Sequence, residues 1–461
     1  MDSFKPQAPY NPLYDPLTDG HPGQGRDYAP TYWIGTAPPP PESDGLLTHN
    51  AHADVVIVGS GYTGLSCAIH LAREHGIRAT VLEANGVSFG CSTRNGGQAQ
   101  ISTGRLKRSQ WIQRWGLDVA RGLHAEVAEA FVLFRSLLQE PLIQCDPQDG
   151  GHLYIAHRQR NFEIIKKESN LLNDLFNYPT RILSPSEIVA EHVYDHEAVG
   201  AIWEPDGIGI HAAKLAFGYE KLARSLGARI HHSSPVTSIE KVGGLYKVHT
   251  PGGTVTANAV AIATAGYTPP QLHPLTRHRL FPVLSNSMVT RVLTDAEKEE
   301  CGFKSKAFYT DTRTLRHYYR LMPDGRVQIG SRSSITGKDA AAPLHLKGLK
   351  EALARKFPVL AGIDIDYSWW GWVDVGHDLM PRIVQPDPAQ RLYYSLAYGG
   401  NGVMYSAQAG KRLAQLVAGQ KLPALPIFQS TLPTEGLLTH FRRLGQRMLY
   451  AWYYHQDEAA D

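Results

Sequence analysis

The stretch "VVIVGSGYTGLSCAIHLAREHGIRATVLEA", residues 55–84, decides the fold. An apolar run, "DVVIV", meets the glycine turn "GSGYTG"; residues 62–75 then follow with helical spacing, and "RATVLE" closes the unit as a second strand. Each glycine has a physical task. Gly59 permits the tight turn, Gly61 admits a pyrophosphate close to the backbone, and Gly64 lets the helix touch the strand. The helix N-terminus offers unpaired N–H groups and a partial positive charge to phosphate. Glu83 ends the second strand, where a carboxylate accepts hydrogen bonds from ribose hydroxyls and repels a 2′-phosphate. The unit therefore predicts a dinucleotide site, with NAD and FAD both open.

Outward from this unit, the 461 residues exceed what one simple core needs and allow two domains. Composition is that of a globular protein, 43% hydrophobic and 19% charged. A net charge of +3 without a Lys/Arg block gives no case for nucleic acid. No apolar run approaches the length of a membrane-spanning helix, and "MDSFKPQAPYNPLYDP" has no signal-peptide core. Cys67, Cys91, Cys145 and Cys301 show no metal-ligand spacing, so free thiols and a cytoplasmic location are expected.

Residues 1–50 hold ten of the thirty prolines and exclude helix or sheet interior; with Tyr10, Tyr14, Tyr28, Tyr32 and Trp33 they read as a packed, extended arm. A helix is expected over about 109–139 and another over 212–226, followed by short strands. Residues 278–332 read mostly as strands, and "YGGNGVMYSAQAGKRLAQLVAG" (398–419) as a glycine turn opening a helix. The fold class is α/β: a discontinuous Rossmann-like domain over 51–105, 195–268 and 370–430 with an inserted, mainly antiparallel β substrate domain over 106–194 and 269–369. Residues 431–461 read as an amphipathic helix whose apolar side packs on the fold or a second subunit, or whose Arg442, Arg443 and Arg447 meet a membrane surface.

Three distant pieces favour FAD. "STRNGGQ" (92–98) follows the second strand closely, "AVAIATAGYTP" (259–269) ends an apolar strand in small residues, and "GGNGV" (399–403) opens a second helix. Two glycine–helix N-termini suit a flavin, because the reduced ring carries negative charge at N1 and the C2 carbonyl.

Together with "YYRLMPDGRVQIGSR" and "WGWVDV", these motifs resemble in order the D-amino-acid-oxidase-like FAD-dependent oxidoreductases, specifically the gamma-glutamylputrescine oxidase-like branch, over about 54–450. The resemblance implies that Gly59, Ser60, Gly61, Tyr62, Thr63, Gly64, Glu83 and Ala84 hold the ADP part of FAD. It puts Arg94, Asn95, Gly96, Gly97 and Gln98 beside the ribityl chain and ring. Val236 would meet the adenine, Thr264, Ala265 and Gly266 would form the second cofactor strand, and Gly400, Asn401, Gly402 and Val403 would face the N1–C2 edge. Sarcosine-oxidase relatives tether flavin through a cysteine where this chain reads "WWGWVDV", so the FAD is expected to be noncovalent. Amino-acid oxidases place a carboxylate-clamping arginine near there; Trp372 and Val373 stand instead, which moves weight from an α-amino acid to an amine.

The expected reaction is oxidation of a C–N bond of an amine, foremost a gamma-glutamylated amine or amino alcohol, with O2 reduced to H2O2. A glycine/sarcosine-type oxidase, the flavin subunit of an amine or taurine dehydrogenase-type complex, and a flavin-binding module without turnover are the alternatives. Such chemistry asks the protein for orientation rather than bond making. Tyr319, Trp370 and Trp372 are the candidates for the pocket wall, and His317, Arg320 and Arg332 for substrate binding. Along a flat strand Tyr319 and Arg320 cannot both face the pocket. His211 reads as a satisfied structural histidine and His377–Asp378 as a loop pair. A homo-oligomer is open.

Overall fold

The computed structural model describes residues 2–434 and 442–459. Strand Ala51–Val58, with Val55, Val56 and Ile57 at most 1% exposed, sits in the middle of an eight-stranded sheet because both its faces are covered. Strands Ala79–Leu82 and Gly253–Ile262 flank it in parallel; Arg229–His231 and Leu392–Leu396 extend the parallel part on either side. The antiparallel hairpin Ser238–Val242 and Leu245–Thr250 completes the other end. Helices Tyr62–His75, Ala212–Ser225 and Tyr405–Val417 share one apolar cluster with Val55 and Ile57 of this sheet.

The second eight-stranded sheet runs in the order Ile365–Gly376, Leu280–Thr290, Val327–Ser331, Tyr318–Leu321, Phe308–Asp311, His152–Ala156, Gly200–Glu204, Arg181–Leu183. Its pairs are antiparallel except Phe308–Asp311 with His152–Ala156. The fold is thus the expected mixed α/β architecture with a mainly antiparallel second sheet.

Element edges depart from the sequence reading in instructive places. The helix expected over 109–139 is two, Arg108–Trp115 and Leu117–Leu137, broken where Gly116 takes φ +82°. The second of these packs on the first sheet's helices, through buried Glu126 and Arg412 of helix Tyr405–Val417 (Nη2 to Oε2, 2.6 Å). Conversely, Gly200–Glu204 and all of Ile365–Gly376 belong to the second sheet. The proline-rich arm carries one short helix, Tyr32–Thr36, capped by Thr31. It packs into its own chain, with Tyr28, Tyr32 and Trp33 buried.

Residues 435–441 of the expected C-terminal helix lie outside the described residues; the described part is Arg442–Glu458. Its apolar stripe does not pack inward. Leu444, Met448 and Trp452 are 58%, 67% and 52% exposed, while Arg443 donates to Asp15 (2.8 Å) and to the Pro282 carbonyl (3.1 Å).

Replacing Arg412 by Met strands the Glu126 carboxylate in the core. We expect Arg412→Met to cost about 3 kcal/mol, read as a lower Tm with unchanged secondary structure.

Candidate active site

The turn at the first strand end needs its glycines. Gly59 has φ +97°, and a Cβ on Gly64 would lie 2.0 Å from the Gly59 carbonyl. Glu83 locks this turn to the next loop: its Oε2 accepts from Ser60 N (3.1 Å) and Ser60 Oγ (2.6 Å), and Oε1 accepts from Asn85 N (3.2 Å). Burial pushes the Glu83 carboxyl up, against the pull of those same hydrogen bonds.

Loop 91–98 is clamped from two sides. The Trp33 indole donates to the Asn95 carbonyl (2.8 Å) and the Trp369 indole to the Arg94 carbonyl (2.9 Å). Arg94 is buried over the Phe89 ring, donates through Nε to the Phe89 carbonyl (3.1 Å) and leaves Nη2 buried without a partner among the described residues. Opposite, Gly400 has φ +94° and a Cβ there would meet only Val373 Cγ1 at 3.7 Å, so this turn presents bare backbone. Asn401 accepts from Gln100 (2.5 Å) and donates to the Gly104 carbonyl.

These parts line one continuous trough. Its narrow end, about 710 Å³ counting space open to solvent, is bounded by Gly59, Glu83, Ala84, Val236 and Thr264. Its wide end, about 1440 Å³ counting the open mouth, is bounded by Tyr62, Thr63, loop 94–98 and turn 399–403. Gly61, Cys91, Ser92, Ala263 and Ala265 line both ends. Gly61, Asn95, Gly96, Gln98, Gly402 and Val403 thus line the wide end. Ser60, Gly64, Gly97 and Gly266 shape the trough from behind it; a Cβ on Gly97 would strike the Ile210 carbonyl at 2.4 Å, and one on Gly266 the Trp372 carbonyl at 2.8 Å.

The substrate-side expectations need correction. Tyr319 is fully buried, stacked on Tyr309 (5.0 Å between centroids), and its hydroxyl donates to Asp195. Strand alternation turns its neighbour Tyr318 into the trough, where the ring covers Gly96 and the hydroxyl meets Ser287 Oγ (2.8 Å). By the same alternation Gly371 and Val373 face the trough and Trp370 and Trp372 face away, with their indoles donating to the carbonyls of Pro12 (3.3 Å) and Tyr14 (3.0 Å). His317 is held on Asp311 (3.0 Å) outside the trough wall. Arg320 is buried beyond Gly97, donating to the Ile210 carbonyl (2.6 Å). Arg332 does reach the trough. His211 caps its helix, accepting from Lys214 N (3.3 Å).

Arg105 and Arg316, both in loops, are trough residues with no signal in the sequence reading. With Arg332 they put three half-buried guanidinium groups at the wide end. Among the described residues none of the three has a carboxylate partner. Arg105 donates to the Gly399 carbonyl (3.2 Å), Arg332 to the Thr314 carbonyl (2.8 Å), and Arg316 has Nε buried and unpaired. Burial first, then the charges of Arg332 and Arg316, pushes Arg105 well down.

The trough fits FAD. A helix N-terminus stands at its middle, a carboxylate at its narrow end, and the bare Gly400 backbone and the spare Arg94 donor at its wide end. The D-amino-acid-oxidase-like family model, described as FAD dependent oxidoreductase, matches residues 54–416. The chain belongs to this family and is an FAD-dependent oxidoreductase acting on C–N bonds of amines or amino acids. It is 31% identical to gamma-glutamylputrescine oxidoreductase of Escherichia coli K12, over 81% of this chain and 85% of that one. It is 29% identical to probable oxidoreductase OrdL of Haemophilus influenzae, over 81% and 84%. Glycine oxidase from Geobacillus kaustophilus has the same fold, with TM-score 0.70 at 19% identity, covering 84% of this chain and all of that one. No helix among the described residues is long and apolar enough to cross a membrane.

Asp374 lines the wide end fully buried, and burial pushes its carboxyl up to about 6, although Ala397 N donates to it. A carboxyl raised in the folded state stabilises it below the unfolded value near 3.8, and that contribution is lost as pH rises through 6. Relative to Asp374→Asn, the wild type should lose up to about 3 kcal/mol between pH 4 and 7, visible as a pH-dependent gap between the two Tm curves.

Proposed function

We propose that the chain oxidises the C–N bond of an amine carrying an anionic group at its other end, foremost a gamma-glutamylated amine or amino alcohol. The product is an imine that water converts to an aldehyde with release of the nitrogen as ammonia or an amine, and O2 is reduced to H2O2. The observation that carries this reading is the cluster Arg105, Arg316 and Arg332, three cations without a carboxylate partner among the described residues. Such a wall disfavours a free polyamine, a polycation, and favours a carboxylate, with which guanidinium forms paired charge-assisted hydrogen bonds. The similarity to gamma-glutamylputrescine oxidoreductase supports the same substrate class.

Residues Gly59–Gly64, Glu83 and Ala84 would hold the ADP part of FAD, Arg94–Gln98 its middle, and Gly400–Val403 the ring edge. When bound, FAD supplies the acceptor for the two electrons. The chain's own residues do the rest. The arginines hold the distal anion, Gly371 and Val373 leave room for the reacting carbon, and the Tyr318 ring excludes water above Gly96. FAD is held noncovalently, in keeping with "WWGWVDV" where a tethering cysteine would stand. The free cysteines suit a cytoplasmic enzyme.

The test is anaerobic mixing of the holoenzyme with gamma-glutamylputrescine, putrescine, glycine, sarcosine and taurine, following loss of the oxidised flavin band. Bleaching by the gamma-glutamyl compound ahead of the others is expected, and admission of air should restore the band and yield peroxide. Bleaching by glycine or sarcosine alone overturns the substrate class; no recovery in air points instead to a partner as acceptor. Arg332→Met should raise the half-saturating gamma-glutamylputrescine concentration by at least about tenfold, the worth of one charge-assisted hydrogen bond.

A further inference from the structure

The family match ends at residue 416, so helix Arg442–Glu458 stands outside it, yet its last turn is hydrogen-bonded to the turn that carries Arg316. Residues 312–317, between strands Phe308–Asp311 and Tyr318–Leu321, form the turn that carries Arg316. From inside, Asp311 Oδ1 accepts from Arg313 N (3.3 Å) and His317 N (2.9 Å). From outside, the buried Asp457 accepts from Thr314 N (2.9 Å) with one carboxylate oxygen and from Leu315 N (3.1 Å) with the other. Thr314 in turn gives its carbonyl to Arg332 (2.8 Å). One turn therefore sets two of the three arginines, and a carboxylate of the C-terminal helix sets the turn.

The same helix end has further anchors, among them Arg158 on the Glu458 carbonyl (3.3 Å) and Arg160 on the Gln456 carbonyl (2.8 Å). His157 Nε2 meets the Asp457 carbonyl (2.9 Å), and Arg313 Nε donates to Glu458 (2.8 Å). Nearly two turns up the helix, the Tyr450 hydroxyl is buried without a partner among the described residues.

We propose that the C-terminal helix buttresses the substrate site from outside its lining, and that Asp457 is a positioning residue that fixes Arg316 and Arg332 for the anionic end of the substrate. Two turn amides deprived of their acceptor must find another, and the guanidinium groups they carry shift with them. This inference rests on the anionic-end reading above.

The test compares Asp457→Ala, Asp457→Asn and Arg332→Met as holoenzymes by anaerobic flavin bleaching with gamma-glutamylputrescine. Asp457→Ala should keep the flavin spectrum and the limiting rate while raising the half-saturating concentration about tenfold. Asp457→Asn, which keeps one carbonyl acceptor, should raise it less. If Arg332→Met has no effect, the anionic-end reading fails and takes this proposal with it. If Arg332→Met raises the half-saturating concentration and neither Asp457 variant does, the proposal fails alone. Loss of flavin in both Asp457 variants also overturns it, because the helix then serves the fold and not the substrate.

Discussion

Helix Tyr62–His75 can start where it does only because Gly64 has no Cβ to strike the Gly59 carbonyl, and the rest of the trough is laid out from that contact. It brings the helix N-terminus against the end of the central strand, where its first N–H groups have no intrahelical acceptor. Glu83 then binds Ser60, and Ser60 Oγ accepts from Ser88 N (2.9 Å), so the glycine turn and the next loop move as one piece. Ser92 Oγ accepts from Tyr62 N (3.0 Å) and extends that piece to the loop that carries Arg94 and Asn95. A chain of short contacts thus converts one missing methyl group into a groove with a fixed course.

The far wall obeys a different constraint. Strands of the second sheet show one set of side chains to the trough and bury the other, so the choice between neighbours is settled by register. Tyr318 and Tyr319 make the case: the buried one finds Asp195 and Tyr309, and the other covers Gly96. What strands cannot supply comes from loops. Arg105, Arg316 and Arg332 reach the trough from three separate places, and carbonyl groups rather than carboxylates receive the hydrogen bonds of Arg105 and Arg332. Half-buried like charges held together in this way are costly until an anion joins them, and the role proposed for the cluster in substrate choice rests on that cost.

Much of the first half of the site was legible in the sequence. The turn Gly59–Gly64, Glu83, and the bare backbone at Gly400 are demands that only glycine or a carboxylate meets at that spacing, and the demand is local. Tyr319, Trp370, Trp372, His317 and Arg320 misled because residue type was read without knowing which face each would take. Aromatic residues on half-buried strands serve the core and the pocket equally well, and a one-residue step exchanges the two. Arg105 and Arg316 gave no signal at all, since a loop arginine has no periodicity.

The sequence by itself determined the dinucleotide unit, the α/β class with its antiparallel second sheet, and the family, because each rests on contacts between residues near in the chain or on ordered motifs. The tertiary structure alone decided which side chains line the trough. It brought loop residues from around 105, 316 and 332 to one end of the trough and carried Asp457 to the turn that bears Arg316. Such meetings depend on how the two sheets and the C-terminal helix dock, a matter of long-range burial and hydrogen bonding to which no local pattern in the chain corresponds.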